Sequence, residues 1–383
     1  MDSPAPLNLS LHPAIAEIPA AEWDGCAGDN PFVSHAFLSA LEDSGSTGRR
    51  TGWFPRHIAL RDEGGALLAC APCYAKTNSY GEYVFDHGWA DALERAGGRY
   101  YPKLQVAAPF SPVPGARLLR RPGVPVAALA EAMRQAMEAS EASSVHVTFC
   151  TREEWEALGA CGWLQRVGVQ FHWHNRGYAD FEDFLGALAS RKRKQLRRER
   201  RSVAESGLVL RTLRGAEITP AHWRAFNSFY RNTVDSRWGG AYLTDAFWPL
   251  LGERLGERVV LMLAEREGVP VAGALNLLGR EALYGRNWGC TEEVPFLHFE
   301  LCYLRAIDFA IAHGLPRVEA GAQGEHKIQR GYLPSETYSA HLIAHAGLSR
   351  AVENFLEAER PAVRARMAEL AELSPYRRED GAE

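Results

Sequence analysis

The sequence predicts an α+β protein of two related domains, each a mixed, mostly antiparallel sheet flanked by helices. Two observations carry this. The order helix, antiparallel hairpin, strand, helix, strand occurs once in each half of the 383 residues, and such internal repetition constrains the fold more than any local propensity. The length also suits two domains at roughly 100–200 residues each. The expected domains are residues 1–170 and 171–383, the second opening with a strand and a long basic helix (180–207). No G-x-G-x-x-G follows a strand and no G-x-x-x-x-G-K-[ST] is present, so neither a dinucleotide fold nor a P-loop fits.

The elements follow in order. Residues 30–45 (NPFVSHAFLSALEDSG) predict a helix, with Phe32, Phe37, Leu38 and Leu41 on one face and Gly45 as a stop. Residues 56–75 predict two apolar strands around a Gly64-Gly65 turn, since glycine supplies positive φ without cost. A strand at 101–110, a helix at 124–142 and a strand at 144–150 complete the first set. In the second half a helix at 245–256 precedes strands at 258–278 and 282–289. The helix at 295–314 begins with Pro295 and ends at Gly314, the preferred placement of both residues, and 317–322 is the last strand. Between the sets, 180–207 predicts one helix, with Asp180 as N-cap and Gly207 beyond its end. Residues 349–373 predict an amphipathic helix that Pro361 ends or kinks.

Composition narrows the class. With 46% hydrophobic and 23% charged residues the chain is an ordinary globular protein. Seven cysteines, an odd number, fit reduced thiols and a cytoplasmic location better than a disulfide framework. The first twenty residues do not read as a secretory signal, and no uncharged apolar run approaches the roughly 18 residues of a membrane span. Residues 190–201 (SRKRKQLRRERR) hold eight Lys/Arg and one Glu in a chain of net charge −4. A strongly basic segment thus sits on an acidic body, and its charges point almost all round a helix.

The most informative stretch is Glu319-Ala-Gly-Ala-Gln-Gly-Glu-His-Lys327, where a strand ends in small residues and then presents polar groups. Acylation of an amine needs the ammonium deprotonated, the oxyanion stabilised and the leaving group protonated. Glu319, Glu325 or His326 could take the proton, and Lys327 could pair with a carboxylate or phosphate. A capped loop with surface charges is the plain alternative. Arg286, Asn287, His298 and Gln323 are expected near the same sheet edge. In the first half, Tyr80, Glu82, Asp86, His87, Tyr101 and Lys103 form an acceptor-pocket candidate, against a packed loop. His172 and His174 alternate on a strand, and two histidines alone make no metal site; none is expected elsewhere. Cys70 and Cys73, inside a strand, are read as core.

Six segments together resemble the FemAB-like proteins of the GNAT (N-acyltransferase) superfamily, relatives of the Fem aminoacyltransferases that build peptidoglycan interpeptide bridges. They are residues 30–46, 78–92 (NSYGEYVFDHGWADA), 100–115, 171–185, 190–201 and 318–334 (VEAGAQGEHKIQRGYLP). The resemblance implies two tandem GNAT-like domains and transfer of an acyl or aminoacyl group to an amine. It implies no permanently bound cofactor, and acyl-CoA or aminoacyl-tRNA as donor co-substrate. The acceptor would be a small molecule or peptide, tRNA would be a candidate partner, and DNA and integral membrane association are not expected. Fem-type enzymes carry a comparable basic helix, so Arg191, Lys192, Arg193 and Lys194 are expected to meet substrate phosphate. The pyrophosphate loop of ordinary GNAT enzymes, [QR]-x-x-G-x-[GA], corresponds to residues 290–300 (CTEEVPFLHFE), which hold no glycine and three glutamates. Residues 111–123 (SPVPGARLLRRPG) are the better anion cradle. The competing function is a non-catalytic binder of a peptidoglycan precursor or nucleotide-linked ligand on the same scaffold.

Overall fold

The apolar runs form strands and the amphipathic runs form helices nearly as their periodicities require. The structure, a computed structural model, describes residues 7–235, 240–322 and 324–377. The strands are β1 (Asn8–His12), β2 (Trp53–Pro55), β3 (His57–Arg61), β4 (Leu67–Ala71), β5 (Cys73–Lys76), β6 (Lys103–Val106), β7 (Leu119–Arg120), β8 (Ser144–Cys150), β9 (Leu164–His174), β10 (Val209–Arg214), β11 (Val259–Arg266), β12 (Val269–Leu278), β13 (Ala282–Cys290), β14 (Arg317–Glu319) and β15 (Leu333–Ile343). The helices are α1 (Ala20–Ala27), α2 (His35–Asp43), α3 (His87–Arg95), α4 (Val126–Ala139), α5 (Arg152–Ala160), α6 (Phe181–Gly186), α7 (Ser190–Ala204), α8 (Pro220–Asp235), α9 (Phe247–Leu255), α10 (Leu297–Phe299), α11 (Arg305–Ala312) and α12 (Ala346–Ala371).

The chain forms two compact units. The first holds the residues up to Gly168 together with Tyr242–Phe247 and Glu336–Arg364; the second holds Val169–Ala241, Trp248–Ser335 and the residues from Ala365. Both are α+β, with mostly antiparallel sheets flanked by helices.

In the first unit one sheet has the order β1-β3-β4-β7, and the strands β15-β8-β6-β5-β2 pair in that order, antiparallel apart from β6 with β8. Helix α4 makes the crossover between that parallel pair and buries Leu129, Met133 and Ala136 against Val145 and Val147. The single strand expected at 66–75 is two strands in two sheets. Pro72 has no amide hydrogen to continue the ladder, so β4 stays with β3 while β5 pairs with β2 and β6.

The second unit has the order β10-β11-β12-β13-β14-β9. Its parallel pair is β13 with β14, in register from Ala282↔Arg317 to Tyr284↔Glu319. The element between them is not one regular helix. It runs from α10 through a π-helical turn, Glu300–Leu304, into α11. The helix expected over 180–207 is likewise broken, into α6 and α7, at residues 187–189. Leu188 there is fully buried and bridges to Tyr376, which a continuous helix would not allow. Helix α12, by contrast, passes through Pro361 without ending.

Helix α8 lies so close to β13 that a Cβ on Gly289 would stand 2.1 Å from the Phe229 carbonyl oxygen and 2.4 Å from its carbon. Gly289→Ala therefore forces backbone apart, and a stability loss of about 1–3 kcal/mol is expected in urea unfolding. An unchanged midpoint would show that α8 yields freely.

Candidate functional site

Strand β14 stops at Glu319 while β13 continues to Cys290, so the parallel pair parts and a gap opens between their C-terminal ends. A bulge widens it. Asn276 faces Gly285 and Leu275 faces Asn287, which leaves Arg286 as the extra residue. A cavity of about 140 Å³ fills the gap, lined by Asn276, Gly285, Arg286, Asn287, Trp288, Ala320 and, from the helical side, His298, Cys302 and Tyr303. Trp288 and His298 also line a neighbouring hollow of about 450 Å³ bounded by Glu292 and Glu293.

The segment after β14 closes this region. Lys327 is buried and donates to the Gly321 carbonyl at 2.8 Å, and burial pulls its ammonium down to about 8. His326 is exposed; its Nε2 lies 3.1 Å from the Tyr303 hydroxyl and its ring packs near His298 and Phe299. Burial lowers its pKa as well. Glu319 is buried and held by Arg317 at 2.8 Å, with His172 Nε2 at 4.0 Å. Glu325 points away, exposed and paired with Arg366 at 2.9 Å. The structure thus brings Arg286, Asn287, His298, His326 and Lys327 around one gap with Glu319 behind it, and leaves Glu325 outside. Gln323 lies outside the described residues.

His172, on the strand next to β14, is pushed down to about 3 by burial, with Arg317 adding to the effect. Its folded pKa lies below the ordinary value of 6.5, so the unfolded chain binds a proton that the folded chain refuses as pH falls from about 6.5 towards 3, and stability is lost in that window. His172→Asn is expected to reduce the pH dependence of unfolding there by up to about 1.4 kcal/mol per pH unit. An unchanged slope would mean that the imidazole titrates normally.

The acceptor candidates of the first unit separate into two groups. Lys103 is completely buried and bonds Glu82 at 2.7 Å, Ser79 at 2.8 Å and Asp86. Buried Lys76 adds Glu82 at 3.7 Å and the Tyr80 carbonyl at 3.1 Å. Asp86 also accepts from Tyr100, which adjoins His146, whose Nδ1 lies 2.7 Å from that of His341. Glu82, Asp86 and Lys103 therefore spend their charges on each other and clamp the loop 77–86. Tyr101, half-buried, bonds Ser79 at 2.8 Å. Tyr80, 62% exposed, and His87 are the members that meet solvent.

The parallel pair of the first unit is shut where that of the second opens. Gln105 ties β6 to Thr148 of β8 at 2.8 Å, and fully buried Arg117 donates to the carbonyls of Thr148, Gly115, Ala116 and Val113. Arg120 pairs with Glu153 and Arg121 donates to Leu67 O. The arginines of 111–123 thus hold the protein's own carbonyls and a carboxylate, which corrects the expectation of an anion cradle there.

Helix α7 keeps Leu196, Glu199 and Val203 inside, with Glu199 on Arg330 at 2.9 Å and Arg200 on Glu300 and Asp308. Its charges do not point all round. Arg191, Lys192, Arg193 and Lys194 fill its first turns without an acidic residue or side-chain cap, although a helix N-terminus already carries positive potential. They form no ion pair among the described residues.

The family model FemAB-like, described as peptidoglycan biosynthesis/recognition, matches residues 14–378. The chain belongs to the FemAB-like family. Its fold is similar to that of FemX, with a TM-score of 0.55 at 12% identity over 90% of this chain and 100% of that one. A conserved protein of unknown function from Bacteroides thetaiotaomicron gives 0.54 at 10% identity over 88% and 100%. The C-terminal domain of a putative lysylphosphatidylglycerol synthetase from Agrobacterium fabrum gives 0.51 at 9% over 90% and 97%. No curated protein matches the chain in sequence.

In this FemAB-like chain the loop after β13 is acidic, with Glu292 bound to Arg266 by two hydrogen bonds and Glu293 exposed. Among the described residues no helix is long and apolar enough to cross a membrane. The sequence reading missed Asn276, Trp288, Cys302 and Tyr303. Arg286 lies within the recognised strand, but the bulge that exposes its neighbours depends on pairing with β12, which no local pattern announces.

Proposed function

We propose that the protein transfers an aminoacyl or acyl group to a primary amine of a peptidoglycan precursor, in the gap between β13 and β14. The observation that carries this is the parted parallel pair with its bulge, lined cavity and adjoining Lys327 and His326. His326, directly or through water, takes the proton of the acceptor ammonium. The free amine attacks the donor carbonyl carbon, the C–N bond forms, and the Lys327 ammonium steadies the oxyanion. Collapse expels the ribose oxygen of a charged tRNA, or the sulfur of CoA, with the electron pair, and that atom takes up a proton. Positioning supplies much of the acceleration and no covalent enzyme intermediate is needed.

The acidic loop at 290–296 favours a donor other than CoA, and the uncapped cationic start of α7 favours an extended polyphosphate such as tRNA. A cytoplasmic site of action belongs to the same reading. Arg191→Glu/Lys194→Glu is expected to weaken charged-tRNA binding by about 10-fold or more at low salt and to flatten its salt dependence; gel shifts at two salt concentrations check this. Transfer is tested by supplying the purified protein with aminoacyl-tRNA or acetyl-CoA and a peptide amine. The same loop supports the second reading, a non-catalytic binder, which predicts ligand binding and no amide product.

A further inference from the structure

We infer that Asn276 is the residue that receives the acceptor amine, through its side-chain oxygen; this rests on the transfer site proposed above. Asn276 is 1% exposed and lines the cavity between β13 and β14. Its amide nitrogen donates to the carbonyl oxygens of Ala274 and Val260, at 3.3 and 3.4 Å. Both neighbours are pure acceptors, so the nitrogen must face them and the orientation of the amide is fixed. The oxygen is then turned the other way, over Gly285, where a Cβ would stand 3.5 Å from it. Gly285 lines the same cavity, and its missing side chain is what leaves that oxygen open to the space.

A buried amide oxygen can only accept, so it demands a ligand with N–H or O–H groups. The Glu319 carbonyl oxygen, 3.4 Å from the same Cβ position, adds a second acceptor, and the Trp288 ring offers a π-face. Two acceptors and an indole in about 140 Å³ suit a primary ammonium, or the amine left when it loses a proton. A carboxylate or phosphate would face repulsion from both oxygens and would have to be held by Arg286, on another part of the wall, instead. The cavity therefore selects the nucleophile and orients its lone pair away from Asn276, towards the donor carbonyl. Asn276 is a specificity and positioning residue.

The test uses small probes and no transfer step. Ethylammonium chloride, tetramethylammonium chloride and sodium propionate are titrated into the isotopically labelled full chain, and the backbone signals of residues 285–288 and the Asn276 side-chain amide are followed. Ethylammonium is expected to shift them saturably at millimolar concentration. Propionate, and tetramethylammonium, which has no N–H, are expected to leave them in place. Asn276→Leu should weaken ethylammonium by about 10-fold or more, and Asn276→Asp should strengthen it. Equal binding by Asn276→Leu, or preferred binding of propionate, overturns the inference. Should Asn276→Leu not fold, Gly285→Ala reads the same point: lost binding supports it and unchanged binding overturns it. Ethylammonium bound through Asn276 with no acyl transfer from any donor would remove the proposed reaction and leave this inference standing; transfer with unaltered KM in Asn276→Leu would do the reverse.

Discussion

Lys327→Met is expected to slow acyl transfer by about 100-fold or more while the protein keeps its fold, because the buried ammonium supplies charge to the oxyanion and little to stability. Among the described residues its ammonium has one hydrogen bond, to the Gly321 carbonyl, and burying an ammonium costs rather than stabilises. The pH profile gives the sharper signature. Burial lowers Lys327 to about 8, so the charged form needed for the oxyanion is lost as pH rises through that value. His326, lowered by burial, must be neutral, so the rate rises with pH on the acid side. A bell with its alkaline limb near 8 is expected. Lys327→Arg should recover part of the rate and move the alkaline limb upward, since a guanidinium keeps its proton. A rate within a few-fold of wild type in Lys327→Met, measured by amide product formation, would remove Lys327 from the reaction.

Lys103→Met is expected to produce the largest loss of stability in the first unit, about 3–5 kcal/mol. The variant leaves Glu82 and Asp86 buried against each other without their shared cation. Lysine beside it now holds Asp86 well below the ordinary carboxylate range, whereas burial raises Glu82 to about 7. Asp86 thus contributes stability above the ordinary value of 3.8 that is lost as pH falls through its folded value. A melting temperature roughly 10 °C lower at neutral pH is expected. The double variant Lys103→Met/Asp86→Asn should recover part of the loss, since it removes a stranded charge. A melting temperature unchanged within about 2 °C would show that water reaches the cluster and solvates it.

Much of both units was legible because the signals are local. Ser34 caps α2 through the Phe37 amide and Asp180 caps α6 through the Asp183 amide, each by a bond within three residues. The β11 and β12 hairpin follows from two apolar runs around Glu267-Gly268. The stretch 319–327 was legible as chemistry because small residues are followed by charged ones. What was not legible depends on partners distant in sequence. Pro72 lies inside the single strand expected at 66–75, and nothing local tells that β4 and β5 join different sheets. Arg117 reads as part of an anion cradle until the carbonyls from 113 to 148 gather round it, and Glu325 reads as a base until Arg366 takes it. Asn276 sits unremarked in an apolar strand, and only the register with β13 turns its oxygen over a glycine.

The central claim is that the gap between β13 and β14 is a site of amine acylation. The most direct measurement is a single-turnover reaction of the purified protein with radiolabelled aminoacyl-tRNA and, separately, labelled acetyl-CoA, each with a peptidoglycan-precursor peptide bearing a free amine. Amide product from wild type, strongly reduced in Lys327→Met and not in Glu325→Gln, is the predicted result. No amide from either donor, or product formed equally by wild type and Lys327→Met, would contradict the account.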